Sequence, residues 1–515
     1  MLRKRLVAAL AAVAVLVTTL VAAPTASAAT TVLKWGSAVD VTTPFDPYAF
    51  SDGHFRPIMA TAYESLIKVS RDYKRFEPGL ATKWTWKGNK ALVLTLRKGV
   101  KFTDGESFNA DVVKANLDRV LVGKYAGPRT GALGNVSDVQ VVNDSTVQIN
   151  LKQPDSQLLL WLSLNMGYMV SPKAIATADK TGNLSGLLTA TAGTGPYVLD
   201  WAQSVKGSKY VFVRNTGYWQ KGAALKKAFP FEGITFSVYT NATARANALR
   251  SGEVDIAQVG AFDYKAVDDA GFTILPTALD VMALRLTDRN GVNNKALGDL
   301  RVRQALNYAI NRNQLSAFGV GTSQSFTKGL AAYNPAWDNY YKFDPAKAKS
   351  LLAAAGYGSG LTLKVAGIAD PTFNAIQTVV QSNLRDVGVT LNIVNEANIF
   401  AAAAKPEYAG FFFPYGAASV PSVVNDIFGP GKVRLNPLGQ SNDELIALND
   451  AYLAASKPAA QAKTAQAVGK FVLDNALEVP LLRVNAYFAF NPKAVKGVGY
   501  TVGNIVPTIF GISPK

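Results

Sequence analysis

Leu96-Arg97-Lys98-Gly99-Val100-Lys101-Phe102-Thr103-Asp104-Gly105 joins two segments of different periodicity. Before it, Ala91 to Leu96 reads as a strand, and Lys98-Gly99 supplies the turn that ends it. After it, Asn109 stands at a helix N-cap, with a helix from Ala110 to about Leu121. Farther on, Val147, Ile149 and Leu151 alternate with polar residues as a half-buried strand does. A strand, a turn, a helix and another strand within sixty residues argue for layered α/β structure.

The same alternation continues outward. Ala242 to Arg250 reads as a helix that Gly252 ends, and Val254 to Val259 as a buried strand. Asp299 caps a helix whose Leu300, Ala305, Leu306, Ala309 and Ile310 share one face. Phe343-Asp344-Pro345 is a helix start with Asp at N-cap and Pro at N1, and Gly356 is the stop. Ala375 to Val387 is expected to be helical, followed by Gly388 and a strand from Val389 to Val394. Helix–Gly–strand units give the short connections that a parallel or mixed sheet needs.

The amino terminus carries an export pattern. Arg3, Lys4 and Arg5 precede an uncharged run from Leu6 to Val21, and Ala26-Ser27-Ala28 is a small-x-small cleavage site. The run is shorter than the roughly 20 residues of a membrane span, so residues 1–28 are read as a cleaved signal peptide. With no cysteine, the exported chain has neither disulfides nor a thiol for lipid attachment. Stability must come from a buried core, which 515 residues can supply. The expected location is extracellular or in the cell envelope, without a cysteine-linked lipid anchor.

The net charge is +17, from 53 Lys and Arg against 36 Asp and Glu. Charge of that sign favours anionic cell-surface polymers as partners. Nucleic acid is not expected: no basic run after the signal exceeds two residues, as at Lys74-Arg75, and no zinc-finger or RNA-binding signature is present. One histidine and no cysteine exclude a His/Cys zinc site, and no EF-hand loop or spaced acidic cluster offers a metal site of another kind. No cofactor is expected. Gly105-Glu106-Ser107 begins a nucleophile elbow but ends on Asn109, and Gly193-Thr194-Gly195-Pro196 lacks the Lys-Ser/Thr of a phosphate loop. His54 is read as an ordinary loop residue near a cleft mouth. Two carboxylates converging in space would make a secreted hydrolase of peptides or glycans; a basic polyanion binder is the other alternative.

Several long segments decide among these readings. Tyr63-Glu64-Ser65-Leu66, then Glu77 to Trp84, then Leu96 to Gly105, then Asn109 to Val113 resemble in order and spacing the family 5 extracellular solute-binding proteins. These are receptors of oligopeptide, dipeptide and nickel importers. Gly193 to Tyr197, Asn215 to Trp219, Leu249 to Ile256, Asp299 to Ile310 and Ala355-Gly356-Tyr357 continue the resemblance across nearly the whole chain after the signal. It implies a non-enzymatic, monomeric receptor of an ABC importer that serves membrane permease and ATPase subunits. The implied fold is a bilobal periplasmic-binding-protein-like α/β fold with an extra inserted subdomain. Residues 29–62, 193–278 and 489–515 would form lobe I, 63–192 the inserted subdomain, and 279–488 lobe II. The hinge would lie near Leu279 to Leu286 and Asn485 to Asn491.

By the same resemblance a peptide or peptide-like ligand lies between the lobes. The candidate contacts are Val39, Asp40 and Phe45 after the first strand, Asp370 in a second-lobe loop, and Phe413, Tyr415, Gly416 and Ala417. Where the family carries an aspartate for the peptide amine, this chain has about Ala417, with no acid between Glu407 and Asp426. A buried ammonium without a carboxylate is costly, which favours a blocked or cyclic peptide, a peptide-like metabolite, a glycan or an anionic ligand. His54 alone cannot furnish a histidine set for nickel.

Overall fold

The computed structural model describes residues 31–41, 45–49, 53–70, 75–121, 130–178, 184–396, 398–433, 435–500 and 506–515. The export signal expected over residues 1–28 lies outside them. Two groups of three parallel strands form the frame. Val32–Ser37 pairs in parallel with Gly233–Val238 and Ile256–Val259. Leu361–Gly367 pairs in parallel with Val389–Asn395 and Gly410–Tyr415. Two long strands, Thr273–Leu286 and Val479–Phe490, run antiparallel to each other and join the groups into one 11-stranded sheet.

The helices begin where capping chemistry dictates. Asn241 accepts from the Ala244 N–H to start Ala242–Arg250, and Gly252, at φ +77°, supplies the left-handed residue just past its end. Asp299 caps Leu300–Tyr308, and Asp344 with Pro345 starts Pro345–Ala354. The helix expected from Ala375 begins instead at Pro371 and runs to Arg385. Asp370-Pro371 is the same Asp-cap, Pro-N1 pair as Asp344-Pro345, so the start falls four residues earlier.

Between Phe76 and Leu151 a separate antiparallel sheet forms, in the order Ala81–Lys87, Ala91–Leu96, Thr146–Leu151, Val136–Asn143. The Ala110–Leu121 helix packs on it, and Leu92, Val113 and Ile149 belong to a core of their own. The first parallel group encloses Trp35, Tyr197, Phe212 and Phe236. The second is covered by Leu306, Leu352 and Val380 on one face and by Phe411, Val424 and Val468 on the other. Each fully buried side chain of this size contributes about 1.5–3 kcal/mol. Cores of this extent hold the fold without disulfides.

The segments that carry the family resemblance meet at one junction. Gly193 and Gly195 press against the end of the Arg56–Ala62 helix, where an added Cβ would lie 2.1 Å from the Ala62 carbonyl oxygen and 2.4 Å from its carbon. Only glycine fits there. Asn215 donates from Nδ2 to the Gly195 carbonyl at 2.8 Å.

Arg483, on the second crossing strand, donates to Asp338 from Nη1 at 2.6 Å and from Nη2 at 3.1 Å. Burial pushes the Asp338 carboxyl up, but hydrogen bonds from Arg483, Tyr333, Gln324 and Thr322 outweigh it and hold it below the usual carboxylate range. A carboxyl with a depressed folded-state pKa contributes stability above its unfolded pKa, and that contribution disappears as pH falls through the folded value. Asp338→Asn is expected to cost about 1.5–3 kcal/mol at neutral pH. In urea melts the gap between wild type and variant should close below about pH 4. A gap that is constant with pH would show that the charge on Asp338 contributes nothing.

Candidate functional site

Strand register places the site. Val259, the carboxyl end of its strand, pairs with Tyr487, which pairs across with Pro276. Tyr415, the carboxyl end of the Gly410–Tyr415 strand, pairs with Val281. Both parallel groups therefore aim their carboxyl ends at each other over the stretch of crossing strand between Pro276 and Val281. Five residues of strand span about 16 Å. In open α/β sheets ligands bind outside the carboxyl ends of strands, and here two such edges share one gap. The pairing of the crossing strands slips between Thr277 and Asp280, which puts a bulge in the middle of its floor.

On the first side Arg245 holds the strand ends in place. Its Nε donates to the Gln258 carbonyl at 2.7 Å, and its Nη1 to the Tyr239 and Thr240 carbonyls at 2.5 and 3.0 Å. Burial pushes its pKa down to about 10, while Asp263 and Asp370 oppose the shift. Asp370 belongs to the opposite group, so this charge acts across the gap. Beside Arg245, His54 meets Gln258 Oε1 at 2.7 Å through Nε2. It sits in a short turn ahead of the Arg56–Ala62 helix, as a loop residue should. Phe262, 67% exposed, reaches the edge of Phe318 from the other side with ring centroids 6.4 Å apart.

The expected contact residues divide. Val39, Tyr415 and Gly416 are half-buried at the strand ends. Asp40, also half-buried, accepts from the Tyr210 hydroxyl at 2.5 Å, so its carboxylate also braces the first side. Asp370 caps its helix by accepting from Thr372 and Phe373 N–H groups at 2.9 and 3.1 Å. Phe413 packs on Phe400 and Phe411. Phe45 and Ala417 are buried. Phe45 is 1% exposed, edge-on to Tyr210 and Phe212, and Ala417 is 4% exposed in the core of the second side. Neither side chain reaches the surface, so any contact with a guest is through the main chain.

The strand end at Ala417 carries no acid of its own. The structure supplies one: Asp426, in the π-helical turn Val424–Phe428, accepts a hydrogen bond from the Tyr415 hydroxyl. Beneath them the Arg285 guanidinium lies 5.7 Å from the Tyr415 ring centre. Arg245, Phe262 and Asp426 were not legible as site residues, because their roles depend on which strand ends meet.

Residues 75–425 match the bacterial extracellular solute-binding proteins, family 5, in the middle part of that family's sequence. The glutathione-binding protein GsiB of Salmonella typhimurium is 32% identical over 359 residues, which cover 68% of this chain and 67% of that protein. The chain belongs to this family of solute-binding proteins. It is accordingly a non-catalytic, extracytoplasmic substrate-binding component of the ABC-importer class. Solved structures bear out the bilobal binding-protein fold. The dipeptide binding protein of Pseudoalteromonas sp. SM9913, in complex with Met-Leu, superposes with a TM-score of 0.81 at 21% identity, over 94% of this chain and 100% of that one. The binding protein AgaA of A. tumefaciens R10, in complex with agropinic acid, does so with a TM-score of 0.81 at 22% identity, over 94% and 99%.

Proposed function

We propose that the chain captures a peptide or peptide-like solute in the gap between its two parallel groups, and that the two sides close over it. The observation that carries this reading is the facing pair of strand-end edges over a bulged, two-strand floor. Lobe I would comprise residues 29–62, 193–278 and 489–515, the inserted subdomain 63–192, and lobe II 279–488. Separate cores under the four-stranded sheet and in the second lobe support this division, although Val170, Ala174, Leu184, Leu187 and Ala192 of the 63–192 span pack into the first-lobe core and Tyr48 into that of the four-stranded sheet. Contacts made with both sides exist only when the gap is shut, so ligand shifts the open–closed balance. Permease and ATPase subunits would then take up the closed form.

Peptide-sized cargo is supported by relatives whose names specify glutathione and a Met-Leu dipeptide. Asp426, held by Tyr415, offers a carboxylate near the strand end where Ala417 cannot. A free-amine peptide thereby regains ground against a blocked one. The direct test is thermal or urea unfolding with glutathione and a dipeptide panel, paired with small-angle scattering. A true ligand at a hundredfold excess over its Kd should add about 2.7 kcal/mol and shrink the radius of gyration. If every peptide leaves both unchanged while another solute class moves them, the cargo assignment fails.

The inserted subdomain would take part in closure. The Ser156 N–H donates to the Leu453 carbonyl at 3.1 Å, and Gln157 Nε2 to the Tyr452 hydroxyl at 3.3 Å, bridging it to the second side. Tyr452→Phe keeps the ring and removes the acceptor, a change of about 0.5–1.5 kcal/mol. Affinity for the cleft ligand should fall about 2- to 10-fold while unliganded stability changes less. An unchanged affinity would remove the subdomain from the closure device.

A further inference from the structure

A second cavity, of about 430 Å³, opens where the first side, the inserted subdomain and the carboxyl-terminal segment meet. Sites for small organic ligands run from about 300 to 1,000 Å³. None of its lining residues belongs to the gap between the strand ends. Phe229 and Pro196 line it just ahead of the Gly233–Val238 and Tyr197–Val205 strands, whereas the gap lies beyond the carboxyl ends of the parallel group.

Its walls are mainly apolar: Pro57, Ala60, Leu164, Phe229 and Phe510. Phe229 is 6% exposed and meets Phe510, 40% exposed, edge-on with centroids 5.7 Å apart, so Phe510 forms the outer part of that wall. The charges are unbalanced. Arg56, Lys68 and Lys227 line the cavity against Glu64 and Glu77. Glu64 is already answered by three hydrogen-bond donors and by Lys68 at 3.5 Å, and Glu77 by Arg75 at 3.2 Å outside the cavity. Lys227 is exposed and makes no ion pair among the described residues. An apolar chamber with a surplus cation at its rim suits a guest with an apolar body and one anionic group, because burial of the body and a charge-assisted bond at the rim then act together.

We propose that this cavity is a second binding site, separate from the solute cleft, for a small apolar carboxylate. The body packs between Phe229, Leu164 and Phe510, and the carboxylate meets Lys227. Titration calorimetry on the whole chain with octanoate and its neutral counterpart octanamide tests this. Octanoate should bind once per chain, at least tenfold tighter than octanamide. Lys227→Gln should weaken octanoate about tenfold and leave octanamide unchanged, and Phe510→Ala should weaken both. Both positions are exposed enough for the variants to fold, and Tyr415→Phe, in the cleft, should have no effect. Equal binding of the two probes, indifference to Lys227→Gln, or loss of octanoate in Tyr415→Phe would each overturn the proposal, as would the absence of binding by either probe. Peptide capture in the cleft does not depend on the result.

Discussion

Replacing Glu478 by leucine should destabilise the protein by about 3–5 kcal/mol, the cost of leaving a buried charge without its partner. Glu478 and Arg285 are each 2% exposed, and their ion pair spans 2.5 Å. Arg285 has one further bond, from Nη2 to the Val281 carbonyl at 3.0 Å. Its Nε, like Glu478 Oε1, has no hydrogen-bond partner among the described residues. The pair is thus dry and incompletely satisfied, and in such a pair the desolvation penalty rivals the attraction. Arg285→Met combined with Glu478→Leu should recover most of the loss in urea unfolding. A single variant within 1 kcal/mol of wild type would mean that water reaches the pair. The single change should also weaken ligand binding, since the guanidinium beneath Tyr415 would be free to shift. The double variant separates the two effects: stability returns, but whatever Arg285 contributes to the site does not.

What the sequence discloses follows the range over which each signal acts. Helix starts at Ala242, Leu300 and Pro345 were legible because their caps lie within three residues. Asp370 carries the same signal, Asp followed by Pro, and caps Pro371–Arg385 in the same way. The surroundings of Phe45 were not legible in the sequence. Its burial comes from Tyr210 and Phe212, which arrive more than 160 residues later, and no local pattern announces them. Asp426 is the plainest case. No acid lies between Glu407 and Asp426 in the sequence, while the chain reverses after Tyr415 and a π-turn brings the Asp426 carboxylate back to its hydroxyl. Such turns recur at functional sites but have no dependable local signature. The resemblance therefore discloses the architecture, while its segments, being mostly scaffold, do not specify the site.

Glu64 shows what that scaffold does, and Glu64→Leu is expected to cost about 3–5 kcal/mol. Its carboxylate is 5% exposed and accepts from the Thr194 hydroxyl at 3.2 Å, the Tyr218 hydroxyl at 2.8 Å and Trp219 Nε1 at 2.8 Å. Three separated segments of the family resemblance thus meet on one side chain. Burial, and then the Glu64 charge, push the Tyr218 phenol upward, so it remains a donor at every physiological pH. Leucine fills a similar volume but strands three donors, each at about 1–3 kcal/mol if it stays dry; relaxation toward water keeps the total below the sum. Glu64→Gln retains one acceptor and should lose less. Because Glu64 stands where the chain leaves the first side for the four-stranded sheet, the damage should be local. Limited proteolysis should cut within residues 63–192 before the rest of the chain, and hydrogen exchange should rise first in the Ala91–Leu96 and Thr146–Leu151 strands. Uniform loss of protection over the whole chain would mean that Glu64 supports the entire fold, and an unchanged unfolding midpoint would mean that the three donors find other partners at no cost.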